Sequence, residues 1–319
     1  MAQRFGFIVR FDLMSELTGY IRPVQGFIRN YWWCGDLVRS SRDLLFPIDM
    51  ANRSYLYSLS NRPISFSDRP ETISGLSEWA YNVPFVYRAL MSGDPQLCGS
   101  LVTDGLSGDE PGHPTVIHAI SSRFDLGFDR VQRFAQIVQA SLAEHSPSPE
   151  PQATLAVQPI SLLGRLKAIV FPRREIAPTS SKAAPVAATQ LPTWLDKTLA
   201  FLEAHRDHYL LLETVELDTM SYEEEAALLT CVEQEIARCL HVGVAIDALP
   251  NDIVEAGRQL KKAVAQKCEA PLDAFFGLRL DDDCDSTRTG ATEHPLGLQW
   301  SEVLYFNLSN RAEREARQG

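Results

Sequence analysis

The apolar positions change period several times along the chain, and each change marks an element. Residues 54–59, Ser-Tyr-Leu-Tyr-Ser-Leu, read as a strand. Residues 61–75 are turn-rich, with Asn61-Arg62-Pro63 and Asp68-Arg69-Pro70. Pro84 and Gly93 bracket a short helix over 85–91, and 115–120 reads as a second strand. Phe128, Val131, Ala135, Val138 and Leu142 recur at three and four, which predicts a helix over 127–144. Further on, a helix over 193–205 buries Trp194, Leu195, Thr198 and Leu202, and 209–217 reads as a strand. Ser221 and Glu224 have capping-box spacing, so a helix is expected to start there and end near 240, before Gly243. Another helix over 251–267 carries Ile253, Gly257, Leu260 and Val264. Apolar stretches at 272–280 and 296–308 suit strands or short helices, and the polar tail 310–319 is expected to fray. With no regular strand–helix–strand repeat, the pattern predicts an α+β fold: a mixed sheet with several amphipathic helices.

Two stretches break the pattern. Residues 146–192 hold 8 of the 19 prolines and read as a Pro-rich linker or insertion. Within it, 160–171 is apolar with Arg165 and Lys167. It is expected to pack on a neighbouring part of the chain, the alternative being a surface or partner-binding helix. Residues 1–49 show no clean period and are expected to be an N-terminal extension, with Met50 as the natural start. The remaining blocks, 50–145 and 193–319, are expected to pack into one α+β domain.

Charge changes the picture more than composition does. The chain is 45% hydrophobic and 22% charged, an ordinary globular balance, with a formal net charge of -11. Residues 193–319 hold 24 acidic and 12 basic side chains, so this block carries the field. Such acidity argues against nucleic acid and against anionic membranes as partners, and suits a basic protein. Six scattered cysteines, none in a C-x-x-C pair, fit a reducing cytosol better than a disulfide framework or zinc site.

The run from Met50 to Pro63 (Met-Ala-Asn-Arg-Ser-Tyr-Leu-Tyr-Ser-Leu-Ser-Asn-Arg-Pro) resembles the start of an uncharacterised bacterial family, a domain of unknown function. The stretches 71–79, 90–98, 270–278 and 295–300 carry the same resemblance. It covers 50–145 and 193–312, and implies that 1–49 and 146–192 lie outside the family pattern. It brings no activity, cofactor or catalytic residue.

The sequence contains no phosphate-binding glycine loop, nucleophile elbow or H-E-x-x-H motif. Asp281, Asp283 and Asp285 mimic the opening of a calcium loop, but Ser286 and Thr292 stand where glycine and glutamate belong. They read as a solvated acidic loop, and as the first candidates if a metal binds. His205 and His208 at spacing three suit a polar helix end better than a metal pair. Trp79 and Tyr81, with Trp300 and Tyr305, could anchor a partner through large area at low entropy cost. The expected function is that of a non-enzymatic cytosolic protein, immunity-like or inhibitory, which binds a basic protein and needs no cofactor. The alternative is a metal-assisted hydrolase using Asp281, Asp283, Asp285 and His294.

Overall fold

The computed structural model describes residues 52–106, 109–110, 112–143, 189–286 and 294–318. The expected extension at 1–49 and the apolar segment 160–171 lie outside the described residues. In order, the elements are β1 (Arg53–Leu59), β2 (Ile73–Ala80), α1 (Phe85–Met91), β3 (Gln96–Gly99), β4 (His118–Arg123) and α2 (Phe124–Ala143). There follow α3 (Leu191–Ala204), β5 (Tyr209–Glu213), α4 (Val215–Asp218), α5 (Glu225–Ala248), α6 (Ile253–Ala265), a 3-10 turn at Leu272–Phe275 and α7 (Arg311–Gln318).

The fold is α+β, as the element pattern implies, and all four strand pairings are antiparallel. The strand order is β2-β1-β5-β4-β3. The central strand, β5, comes from the second block and pairs on one side with β1 and on the other with β4, both from the first. Its Leu212 faces Leu56 and Ile120 in register.

Alternation along the strands sends Leu56, Leu76, Ile120, Leu210 and Leu212 into one core with the helices. Phe85, Phe134 and Phe275 meet at its centre, with the Phe85 and Phe134 rings 4.9 Å apart. The other sheet face presents Tyr55, Tyr57, Leu59, Cys98 and Leu211. An irregular C-terminal segment covers it with Leu304, Phe306 and Leu308. The Tyr57 hydroxyl donates to the Phe306 carbonyl at 2.6 Å, which pins that segment down.

Several local expectations are corrected. The turn-rich stretch leads into β2, whose alternation is broken by an irregularity opposite Leu56 and Tyr57. The expected strand at 115–120 sits three residues later, because Asp109 takes the Thr115 amide and hydroxyl and Glu225 takes the Val116 amide. Ser221 and Glu224 form no capping box: Ser221 lies in the turn after α4, and Glu224 precedes α5 without a side-chain cap. α5 does not stop before Gly243, which lies inside it. A Cβ there would stand 2.8 Å from the Ser92 Cβ, so glycine lets the α1 end approach. The polar tail is helical over Arg311–Gln318. Asn310 and Glu313 cap each other's amides at 3.0 and 3.1 Å and start α7.

The end of β5 carries a fully buried carboxyl, Glu213. It accepts from the Ser100 hydroxyl at 2.9 Å and the Leu101 amide at 2.6 Å. Burial still pushes it from its ordinary 4.5 up to about 7. Because the folded state holds this proton more tightly, its stabilising effect is complete below pH 4.5 and is lost as pH rises through about 7. Glu213→Gln keeps an acceptor and removes the charge. It is expected to raise the free energy of unfolding at alkaline pH, by on the order of 2 kcal/mol, and to flatten the stability–pH curve. A variant whose curve parallels the wild type would show that Glu213 does not set it.

Candidate functional site

β2 runs straight into a strained corner. Tyr81, the next residue, has φ 61°, in the left-handed region where a bulky side chain rarely sits. The corner is held from both sides. The Tyr81 amide donates to the Asn52 carbonyl at 2.7 Å, the Ser54 hydroxyl donates to the Asn82 carbonyl at 2.7 Å, and the Asn82 side chain accepts from the Val83 amide at 2.8 Å. The result is a tyrosine turned outward, 60% exposed, two residues after Trp79, which is buried.

Tyr81 stands at a cleft of about 530 Å³ formed by this corner, α1, α4 and the first half of α5. Tyr222, in the turn before α5 and 49% exposed, lines it too. Three charged side chains form one network within the lining. Arg88 reaches Glu235 with two donors, at 2.6 and 3.2 Å, and Arg238 adds a third at 2.8 Å. Glu235 is buried, whereas Arg238 is mostly exposed and has donors to spare.

Asp218 completes the polar lining. Burial, reinforced by the Glu235 charge, pushes its carboxyl up to about 6, against the Thr214 hydroxyl that donates to it at 2.7 Å. Cys231 also faces the cleft, but burial and the Asp218 charge raise its thiol, which stays protonated and weakly nucleophilic. Two exposed aromatic faces, a fixed ion network and a titratable carboxyl suit recognition of an amphipathic guest.

The other sequence candidates fall elsewhere. Asp281 and Asp283 both accept from Arg279, at 2.9 and 2.8 Å, so a guanidinium occupies the position a cation would take. Asp285 turns away to the amides of Gly297 and Leu298, and Asp282 accepts from Thr189 and Gln190 just before α3. Among the described residues no group of three or more His, Cys, Asp or Glu is placed to hold a metal ion. His205 bonds the Phe201 carbonyl and Glu302, while His208 lies in solvent beside Asp207, and His294 is exposed. Trp300 donates to Thr198 at 2.8 Å and packs between Tyr87 and Phe201. Tyr305 is exposed, with Arg53 over its ring. Of the aromatic candidates only Tyr81 lines the cleft. Arg88, Asp218, Tyr222, Glu235 and Arg238 carried no sequence signal, since each is ordinary where it stands and gains its meaning from partners up to 147 residues away.

Residues 60–162 match a family model described as a domain of unknown function, DUF7822. The match takes in the loop before β2 and the elements through α2, and leaves β5 and α3–α7 outside. No curated protein and no solved structure matches the chain. Among the described residues, no helix is long and apolar enough to cross a membrane.

Proposed function

We propose that the protein is a non-enzymatic binding protein that holds a basic segment of another protein in the cleft beside Tyr81. The observation that carries this reading is Tyr81 itself. A left-handed backbone at a bulky residue costs on the order of 1 kcal/mol and gathers at sites where the geometry serves recognition. Here the strain aims an aromatic face into solvent at the mouth of a cleft. Tyrosine faces attract ammonium and guanidinium groups. Glu223 and Glu224 extend an exposed acidic rim from Tyr222, within a block that carries 24 acidic against 12 basic side chains. Opposite charge would steer such a partner and fix its register.

The test uses the immobilised full chain against basic proteins at low salt, with Tyr81→Gly and Tyr222→Ala compared to wild type. Tyr81→Gly is expected to stabilise the fold by about 1 kcal/mol and, with Tyr222→Ala, to abolish salt-sensitive retention. Retention by the folded double variant equal to that of wild type sinks the reading.

A further inference from the structure

The loop joining β1 to β2 and the helix α7 meet around one aromatic ring. The Arg314 side chain donates to the Phe66 carbonyl at 2.9 Å, and the Arg311 amide donates to the Pro70 carbonyl at 3.0 Å. This places two guanidinium groups on Phe66: those of Arg69 and Arg314, at 4.4 and 4.6 Å from the ring centroid. Arg69 is only 7% exposed, and its buried Nε–H has no hydrogen-bond partner among the described residues. Neither guanidinium has a carboxylate within ion-pair distance among the described residues.

The contrast with Arg88 is informative. That other well-buried arginine meets both oxygens of Glu235, through Nε and Nη2. At Arg69 the acids that act through space are Glu213 and Asp104, while Arg314 opposes them with a like charge. Glu213 has its oxygens engaged by Ser100 and Leu101. Desolvation, then Arg314, lowers Arg69 to about 10. A buried guanidinium with idle donors beside a second cation is costly unless an anion joins it. The unpartnered Arg69 Nε–H and the remaining N–H groups of the two side chains are donors of the kind that recognise oxyanions.

We infer that Arg69 and Arg314 form an anion site around Phe66 that takes the phosphate group of a small molecule. The site lies on other elements than the Tyr81 cleft, and each can fail without the other.

The test is calorimetric titration and thermal unfolding of the full chain with inorganic phosphate, against chloride at matched ionic strength. Phosphate is expected to raise the midpoint saturably, chloride is not, and Arg314→Gln should weaken binding by about tenfold or more. Arg69→Met gives a crossing pattern: at least as stable as wild type without phosphate, because an unpaired buried cation is gone, and less stable in saturating phosphate. Sulfate matching phosphate would leave the oxyanion site standing and overturn its phosphate assignment. A midpoint insensitive to phosphate, an equal rise with chloride, or a rise that survives both substitutions overturns the site. So does Arg69→Met being destabilised equally with and without phosphate, which would make Arg69 structural.

Discussion

Gly127→Ala is expected to cost about 3 kcal/mol or more, a large part of the stability of an ordinary domain. Gly127 lies in the first turn of α2, where α1 comes to rest. A Cβ at this position would stand 1.7 Å from the Leu90 carbonyl oxygen, 2.6 Å from its carbon and 2.9 Å from the Leu90 Cα. All three are backbone atoms, so no side-chain rotation relieves the clash and the helices must separate. Separation pulls Phe85 off Phe134 at the centre of the core. Denaturant unfolding measures the effect. An alanine variant within about 1 kcal/mol of wild type would mean that the two helices slide apart at little cost.

Glu235→Ala is expected to destabilise by about 3 to 5 kcal/mol, because it strands Arg88 as an unpaired charge in a mostly buried position. Arg238 also loses its hydrogen bond to Glu235 but sits in solvent and rehydrates. The informative companion is Arg88→Met with Glu235→Leu. Replacing both ends by apolar groups of similar size removes the desolvation cost together with the attraction, so the double variant should recover most of the loss. A double variant as unstable as Glu235→Ala would show that the pair's packing, and not its charge balance, holds α1 to α5.

Elements with local causes were legible in the sequence. β1 is rich in strand-forming residues, α1 is bracketed by Pro84 and Gly93, and α2 shows its three-and-four spacing without interruption. Elements with distant causes were not. β2 hides behind an irregularity opposite β1, and β5 ends at Glu213 because the chain turns at once into α4. The stretch 296–308 is apolar without being strand or helix, and it serves as an irregular cover for one sheet face through Leu304, Phe306 and Leu308. Two capping signatures of the same form had opposite outcomes. Ser221/Glu224 is overridden by the turn out of α4, whereas Asn310/Glu313 closes because the α7 start is anchored to Pro70. The candidate site was legible in one residue, Tyr81. The run Asp281–Asp285 looked like one constellation, yet its carboxylates serve Arg279, the α3 start and the 297–298 amides separately.

The place of β5 in the sheet has a consequence for the order in which the protein is made. Four strands leave the ribosome first, as two antiparallel pairs, β1 with β2 and β3 with β4. Neither pair can join the other until residues 209–213 are synthesised, some 85 positions after β4 ends. During that interval β1 and β4 each present an open edge, the kind that recruits foreign strands. One short run, Tyr-Leu-Leu-Leu-Glu, then closes both edges in a single step. The central strand is thus also the last to be made, and every ladder the finished sheet needs between its halves waits on it.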